Sequence, residues 1–461
     1  MPSSVLMISH DLVGPQMAGA GMRYWELAQV LSRSVPVTLA APEGSAPLSP
    51  GESVRLVAYQ RHDSEALQRL AQPAQVIIAP GDTLLEFPFL LDSDKYLVMD
   101  GYDPHTLESL AWNESQPMDA RVSSQLERLR IVSLQCAVGD FHICASERQR
   151  MLWLGWLEAT GRVNPLTYDD DRALRTLVDT VPTGIPNDPP QHTRSLLRDV
   201  VRGIASEDYV LVWGGGVWNW LDPLTLIRAV ARVARIHPHV RLYFPGPRHP
   251  YRQFVPDMSM HRAAVQLSQD LGLRDTVVFW GDWVPYHERQ NYLLEADVGC
   301  SLHYETIEST FAFRTRILDY VWAGLPMIVT RGDVTSELVE DYGLGVVVDY
   351  EDEDGVAEAI SHLLSMPRES FREGFVRARQ ERSWEQSAQP LVRFCLNPRH
   401  AADRRVAGGD WRENKPVLEQ MMQQQREIAR LRELLGGYER GRFIRFMKWL
   451  RAVRRRTTRR E

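Results

Sequence analysis

Cysteine is scarce in this sequence, which has four among 461 residues: Cys136, Cys144, Cys300 and Cys395. The nearest two lie eight positions apart, which does not match the CxxC spacing of a redox or zinc-binding pair. We therefore expect four buried thiols in a reducing compartment and no disulfide framework.

Long apolar runs are also missing. No stretch of about 20 apolar residues is present, so no segment is predicted to span a membrane. The N-terminal segment MPSSVLMISHDL lacks both the basic region and the long apolar run of a signal peptide. Both absences favour a protein of the cytoplasm.

The chain as a whole has no excess of basic residues, with 53 Lys and Arg against 60 Asp and Glu. This balance argues against nucleic acid as a partner. Residues 438–461 are the exception, because their ten basic and two acidic residues give a net charge of +8 and leave −15 on the other 437 residues. A basic tail on an acidic body indicates a separate role for the tail.

Short apolar segments alternate with helical patterns through most of the chain. In the first half, SVLMIS, VPVTLAA, VRLVAY, VIIAP, YLVMD and FHICAS are predicted to be buried parallel strands. A second series starts with YVLVWGG at Tyr209, after the proline-rich and glycine-rich segment VPTGIPNDPPQHT. The pattern predicts an α/β protein with two doubly wound, Rossmann-like domains and a helical tail. The predicted boundaries are 1–182 and 183–397 for the domains, 398–415 for a linker, and 416–461 for the tail.

Residues 301–330 have the features of an anion-binding site. An apolar strand leads into a loop that carries Glu308, and a helix follows that carries Arg314, Arg316 and Asp319. The free N–H groups of a helix N-terminus and two guanidinium groups suit a phosphate ligand. We therefore predict Glu308, Arg314 and Arg316 as the catalytic group, and Asp319 as an acceptor of hydrogen bonds from sugar hydroxyls. A surface helix with solvated arginines is the alternative.

Three glycines, Gly214, Gly215 and Gly216, follow the first strand of the second series. Glycine lets the backbone approach a ligand closely, so this turn is a candidate contact for a diphosphate.

The first half offers a second group of candidates at predicted strand exits and in a glycine-containing loop. Because ligands bind at the carboxyl edge of open α/β sheets, we predict that these residues contact an acceptor substrate. The candidates are His10, Gly19, Gly21, Asp100 and Asp103. Turn formation by the aspartates and glycines, and capping or burial of the histidine, are open alternatives. We predict no metal site, since the YDDDR segment at 168–172 fits a solvated helix start better.

Taken together, these segments resemble the GT-B glycosyltransferases, in particular family 4 of the retaining glycosyltransferases. The resemblance covers about residues 1–395. It depends on the order and spacing of the GAG loop, VPTGIP, the GGG turn, FPG, GDWVP, YLLEADVGCSLHYE and DYVWAGLPMIVT. The family implies that the second domain binds a nucleotide-sugar and the first binds the acceptor across a cleft. It also implies retention of configuration and no requirement for a metal or other cofactor. Asp319 falls where the family has a glutamate that binds the donor ribose, and Ser383-Trp384-Glu385 resembles its closing helix, which crosses back onto the first domain.

Two departures from the family pattern stand out. The position of the family's other glutamate is occupied by Phe311. The basic residues that usually follow the second glycine turn are replaced by GVWNWLDP, which brings Trp218 and Asp222 to the donor side. We expect Arg248, or the arginines of the 301–330 segment, to supply the positive charge instead. A GT-B protein that binds a sugar nucleotide or glycan without transferring it is the alternative function.

The tail has two parts. In residues 416–435, apolar positions recur at four-three spacing, which fits a helix docked on the body or a weak self-associating coiled coil. A structural protein that dimerises through this segment is a further alternative. In residues 438–461, aromatic and apolar positions three or four apart are interspersed with arginine, as in helices that bind anionic membranes. A solvated tail and a protein-docking tail remain open. A membrane-bound transferase would suit a lipid-linked acceptor on the inner face of the cell membrane, as in envelope polysaccharide synthesis.

Overall fold

The computed structural model describes residues 4–48, 54–249 and 258–405, together with six helical residues of the tail: Gln423, Gln424, Glu427, Arg430, Leu431 and Leu434. The described chain forms two parallel sheets with helices packed on them.

The first sheet has seven parallel strands in the order β3-β2-β1-β4-β5-β6-β7. Its strands are β1 (Val5–Ile8), β2 (Val37–Pro42), β3 (Arg55–Tyr59), β4 (Val76–Pro80), β5 (Tyr96–Asp100), β6 (Phe141–Cys144) and β7 (Val178–Thr180). The helices of this part are α1 (Gly19–Ser32), α2 (Ser64–Ala71), α3 (Asp82–Glu86), α4 (His105–Trp112), α5 (Met118–Val138), α6 (Glu147–Ala159) and α7 (Pro165–Asp170).

The second sheet has six parallel strands in the order β10-β9-β8-β11-β12-β13. Its strands are β8 (Tyr209–Val212), β9 (Val240–Phe244), β10 (Val278–Trp280), β11 (Val298–Ser301), β12 (Met327–Thr330) and β13 (Gly345–Val348). Its helices are α8 (Pro223–Val233), α9 (Ser259–Asp270), α10 (Arg289–Glu295), α11 (Ile307–Phe311), α12 (Thr315–Ala323), α13 (Val334–Tyr342), α14 (Glu353–Ser365) and α15 (Arg372–Glu381). Short 3₁₀ helices lie at Pro88–Asp92, Tyr286–Glu288, Arg368–Phe371 and Ala402–Arg404.

The central strands are buried along their whole length. All four residues of β1 and all five of β4 are buried, as expected of parallel strands covered by helices on both faces. Because every strand of a sheet runs in one direction, the loops that follow the strands gather at one edge. The predicted architecture of two Rossmann-like sheets is confirmed. The domain boundaries at 182 and 397 remain predictions, with β7 ending at Thr180 and β8 starting at Tyr209.

The chain returns to the first sheet after α15. Two helices, α16 (Trp384–Ser387) and α17 (Gln389–Leu396), place Trp384, Leu391 and Cys395 in the core beneath that sheet. An isolated bridge between Ile185 and Ser383 joins this crossing to the segment that connects the two sheets.

Residues 399–405, at the start of the predicted linker, are docked on the first sheet. Asp403 accepts hydrogen bonds from the buried Arg162 guanidinium at 2.7 and 3.1 Å. Asp170, from the YDDDR segment, pairs with Arg399 and Arg405 at 3.0 and 2.8 Å. This acidic segment therefore binds the returning chain.

The four cysteines are buried and form no disulfide, as the sequence predicts. Burial raises the pKa of Cys136, Cys144 and Cys395 to about 12, so these thiols stay protonated. Among the residues described, no helix has the length and apolarity needed to cross a membrane.

Candidate active site

The helix α12 is fixed against the glycine turn by a buried tyrosine. The Tyr320 hydroxyl accepts a hydrogen bond from the backbone N–H of Gly214 at 2.8 Å and donates to the carbonyl of Cys300 at 2.9 Å. Gly215, at the tip of the turn, has φ of +80° and is exposed, a conformation that glycine adopts without strain. The start of α12 and the predicted diphosphate turn are therefore neighbours, as the sequence interpretation requires.

Arg316 is the cation at this turn. Its Nη2 donates to the Gly216 carbonyl at 2.8 Å, and its guanidinium lies over the ring of Trp213 at 5.0 Å. In the described part of the chain, its Nη1 is buried and has no hydrogen-bond partner, and no carboxylate forms a salt bridge with it. Burial of the charge lowers the pKa of Arg316 to about 10, and no nearby carboxylate offsets the effect. An anion at the turn would compensate this charge.

Arg314 has a different environment. Its Nη1 and Nη2 donate to the two carboxylate oxygens of Glu308 at 3.0 and 2.8 Å, and its Nε lies 3.5 Å from Asp333. The side chains of the pair are 7% and 4% exposed, so both charges are used internally. His303 lies behind them, 3.7 Å from Asp333, and burial lowers its pKa to about 4. The structure thus brings Glu308 and Arg314 together as a buried ion pair.

Asp319 lies one turn beyond Arg316 on α12, with 29% of its side chain exposed. Arg289 of α10 donates to it at 3.2 Å and stacks on Tyr286 and Trp322, at 3.8 and 4.6 Å from their ring centres. The Tyr286 hydroxyl in turn donates to Glu26 of α1, on the other sheet. Burial raises the pKa of both Tyr286 and Glu26. Sequence reasoning missed this link, because its members are scattered between residues 26 and 322 and the link follows no recognisable motif.

Two further donor-side candidates, Asp222 and Trp218, have structural contacts, one as a helix cap and the other in aromatic packing. Asp222 is 1% exposed and caps α8 by accepting the N–H of Thr225 at 3.0 Å. Trp218 packs between Trp220 of its own loop and Trp112 of α4, with ring centres 5.8 and 5.7 Å away.

Arg248 is half-buried, in the loop after β9 and close to residues 250–257, which lie outside the described chain.

The two acceptor-side glycines differ. A Cβ on Gly21 would lie 2.2 Å from the Leu12 carbonyl, so close packing of the loop requires glycine there. A Cβ on Gly19, the first residue of α1, would meet nothing within 4 Å, so this backbone position is accessible. His10 is half-buried beside this loop, and its carbonyl accepts a hydrogen bond from Arg61 at 2.8 Å.

Asp100 is engaged inside the first sheet. It accepts two hydrogen bonds from Arg23 of α1 at 2.8 and 3.1 Å, and both side chains are at most 3% exposed. Arg23 also donates to the carbonyl of Val181 at 2.9 Å. The pair joins α1 to the carboxyl end of β5, which is a structural role that the sequence interpretation did not anticipate.

Asp103 lies close to two other titratable side chains. The group consists of Asp103, His105 and Glu108. Each has one atom of a type that can bind a metal ion, and these atoms all lie within 4.8 Å of one another. Burial raises the pKa of Asp103 and, more strongly, that of Glu108, which also faces the carboxylates of Asp103 and Glu308. Sequence reasoning missed His105 and Glu108, although both follow the strand exit that identified Asp103.

Contacts around the cleft hold the two sheets together. Gln149 at the start of α6 donates to the Phe311 carbonyl at 2.8 Å, and Arg148 donates to the Gly332 carbonyl at 2.6 Å. On the other side, Asn219 donates to the Ala111 carbonyl at 3.3 Å. Loops and helices that follow strands of both sheets therefore meet at one interface.

Residues 208–366 match the family model described as glycosyl transferases group 1. No curated protein matches the chain by sequence. Among solved structures, the chain is similar to sucrose-phosphate synthase (tll1590) from Thermosynechococcus elongatus, with 14% identity and a TM-score of 0.60 over 85% of this chain and 98% of that one. It is also similar to Anabaena Alr3699/HepE in complex with UDP-glucose, with 13% identity and a TM-score of 0.59 over 85% and 98%. A third similar structure is WaaG, a glycosyltransferase involved in lipopolysaccharide biosynthesis, with 15% identity and a TM-score of 0.53 over 88% and 100%.

Proposed function

We propose that the chain transfers a sugar from a nucleoside diphosphate sugar to a glycan or lipid-linked acceptor. The match of residues 208–366 to the glycosyl transferases group 1 model and the predicted GT-B fold support this proposal. Assignment to family 4, retention of configuration and independence from metal ions are part of this proposal.

The observation that carries the proposal is the uncompensated cation at the glycine turn. Cleavage of the donor bond leaves negative charge on the diphosphate, which positive charge fixed in advance stabilises. The buried Nη1 of Arg316 has no hydrogen-bond partner within the described ranges, and the N-terminus of α12 adds backbone N–H groups. Arg314 contributes indirectly in this scheme, by holding Glu308 and the start of the helix in place.

Asp319 is the proposed contact to the ribose. It is partly exposed, and Arg289 fixes its carboxylate without burying it. The Alr3699/HepE structure, which is bound to UDP-glucose, supports a UDP-sugar as the donor.

The acceptor is proposed to bind on the first sheet, near Gly19, Asp103, His105 and Glu108. Because burial raises the pKa of Asp103 and Glu108, these carboxyls keep protons to higher pH than usual. A protonated carboxyl donates as well as accepts hydrogen bonds, which suits sugar hydroxyls. Closure of the two sheets around both substrates would exclude water and protect the donor from hydrolysis.

The proposed setting is the inner face of the cell membrane, in envelope polysaccharide synthesis. The similarity to WaaG, which is involved in lipopolysaccharide biosynthesis, supports this setting. The basic segment 438–461, which lies outside the described residues, would provide attachment at about 1 kcal/mol per basic residue near an anionic surface. Deleting 438–461 should abolish association with vesicles containing anionic lipid, and unchanged association would refute this part.

A calorimetric binding panel tests the main proposal. UDP-, GDP-, ADP- and dTDP-sugars would be titrated into the wild type and into Asp319→Ala. We expect one nucleotide class to bind tightly and to lose at least about tenfold in affinity in the variant, as for a lost hydrogen bond to a charged group. Incubation with the bound donor and candidate acceptors, followed by NMR of the product's anomeric centre, tests retention.

The alternative, binding without transfer, is favoured by one observation. Phe311 stands at the position of a family glutamate, and the nearby Glu308 is fully engaged by Arg314. Donor binding with no turnover over a broad acceptor panel would support this alternative, whereas turnover would exclude it. Failure of every nucleotide-sugar to bind would contradict both.

A further inference from the structure

We propose that Tyr286 and Arg289 are positioning residues that couple the loop before α1, on the acceptor side, to Asp319 on the donor side. This loop, residues 14–18, leads directly into Gly19 and is called the α1 loop below. The inference rests on the proposed function, because it takes Asp319 as the contact to the ribose and the α1 loop as part of the acceptor side.

Tyr286 connects the second sheet to two points of the first. It opens the short 3₁₀ helix Tyr286–Glu288, which leads into α10. Its backbone N–H donates to the carbonyl of Pro15 in the α1 loop at 2.7 Å, and its hydroxyl donates to the carboxylate of Glu26 in the middle of α1. One residue therefore holds both the loop and the helix that follows it.

Arg289 takes its position largely from Tyr286. Its Nη1 donates to the Tyr286 carbonyl at 2.8 Å, and its guanidinium lies over the ring of the same residue at 3.8 Å. The guanidinium also lies over Trp322, whose indole N–H donates to the carbonyl of Asp188 at 2.7 Å. A guanidinium held by a carbonyl and two aromatic rings has little rotational freedom. Tyr286 therefore helps to direct the bond from Arg289 to Asp319.

The charges along this path depend on one another. Burial raises the pKa of Glu26, and the hydrogen bond from Tyr286 and the charge of Arg289 oppose this rise. The same guanidinium donates to Asp319 at 3.2 Å, and the Arg289 side chain is only 16% exposed. Two carboxylates that belong to different sheets therefore share one largely buried cation, so the loss of one makes the other more important.

A ligand on Asp319 would act on the α1 loop through this path. A ribose hydroxyl bound to the carboxylate would fix it, and with it the guanidinium of Arg289. Tyr286 would then be held more firmly, which favours its two hydrogen bonds to the first sheet. Because coupling between two sites is reciprocal, a ligand that orders the α1 loop would strengthen donor binding by the same factor.

Hydrogen exchange with UDP as the probe tests the coupling. In the wild type, saturating UDP should slow the exchange of amides in residues 16–26 at least about fivefold, the lower end of typical coupling between sites. Most of this protection should be lost in Tyr286→Phe, which lacks the hydroxyl bonded to Glu26. The variant keeps the ring under Arg289, so its UDP affinity should stay within about threefold of the wild type.

Tyr292→Phe is the matched control. Tyr292 is also on α10, but it packs on Tyr243 of its own sheet, with ring centres 5.7 Å apart. This variant should retain the protection of residues 16–26 by UDP. Equal protection in Tyr286→Phe and the wild type would overturn the inference.

A thermal stability cycle tests the coupling without any ligand. Glu26→Gln and Asp319→Asn each remove one of the two carboxylates that face Arg289, whereas the double variant removes both. The melting temperature of the double variant should therefore fall by more than the sum of the two single shifts. In the control pair, Asp170→Asn with Asp319→Asn, the shifts should add, because Asp170 binds arginines of the returning chain instead.

The cycle also separates this inference from the proposed function. Additive shifts for the pair of Glu26 and Asp319 would overturn the inference, whether or not UDP binds. If the wild type does not bind UDP, the proposed donor is wrong, and the cycle alone then decides whether the two carboxylates are coupled.

Discussion

Replacing Arg316 by glutamine should weaken UDP binding by about 10- to 150-fold. Among the described residues, the buried Nη1 of Arg316 has no hydrogen-bond partner at the glycine turn, so it is available for one charge-assisted hydrogen bond to a phosphate. Hydrogen bonds to charged groups contribute about 1.5–3 kcal/mol, and each 1.4 kcal/mol is a tenfold change in affinity.

The same substitution should leave the stability of the free protein nearly unchanged. Burial lowers the pKa of Arg316 from 12.5 to about 10, which corresponds to about 3 kcal/mol of unfavourable desolvation that the variant no longer carries. Against this, the variant loses the hydrogen bond from the charged guanidinium to the Gly216 carbonyl, worth about 1.5–3 kcal/mol, and the stacking on Trp213, worth about 1 kcal/mol. The opposing contributions nearly cancel.

Arg314→Gln is the matched control, because it removes an arginine two residues away that is already paired. It leaves Glu308 buried without its bidentate partner, a loss expected to cost about 3–5 kcal/mol of stability. Isothermal titration with UDP and thermal unfolding of both variants separate the two roles. The reasoning is refuted if Arg316→Gln binds UDP like the wild type, or if its melting temperature falls as far as that of Arg314→Gln.

Two further substitutions test the buried charges. Asp100→Asn should lower the free energy of unfolding by about 3–5 kcal/mol, since it leaves Arg23 buried without a counter-charge. Asp170→Asn, which removes two exposed pairs, should cost less than about 2 kcal/mol. Similar losses of the two variants in calorimetry would contradict this assignment. His303 has a folded-state pKa of about 4 against about 6.5 when unfolded, so the unfolded chain binds the extra proton first and stability falls as the pH drops from 6.5 to 4. His303→Gln should reduce that slope by up to about 1.4 kcal/mol per pH unit in urea titrations, and an unchanged slope would show that folding does not lower the pKa of His303.

The strands could be predicted from the sequence because parallel strands that are covered on both faces need continuous apolar runs. VIIAP and YLVMD coincide with β4 and β5 to the residue. The end of α12 also follows from local chemistry, since Gly324 adopts the left-handed conformation, with φ of 61°, that glycine favours at a helix C-terminus. These features depend on local chemistry alone.

The partners of the charged residues could not be predicted in this way. Arg23 and Asp100 are 77 positions apart, and Glu26 and Tyr286 are 260 apart, so only the folded chain brings them together. A carboxylate at a strand exit is compatible with ligand binding, helix capping and internal ion pairing. Asp103 lies close to two other titratable side chains, Asp222 caps a helix and Asp100 forms an ion pair, and no spacing in the sequence distinguishes the three.

Arg314 and Arg316 show the same limit within one turn of one helix. Successive residues of an α-helix are rotated by about 100°, so two residues that are two positions apart face nearly opposite directions. Arg314, at the N-cap position, turns toward Glu308 of α11 and Asp333 before α13, whereas Arg316 turns toward the loop after β8. One guanidinium is neutralised by two carboxylates and the other by none in the described chain. The RTR pattern therefore predicts a charged helix start correctly but overstates the number of cations available to a ligand. In the described chain, the RTR segment therefore offers a diphosphate at this turn one arginine without a carboxylate partner, together with backbone N–H groups of the glycine turn and of α12.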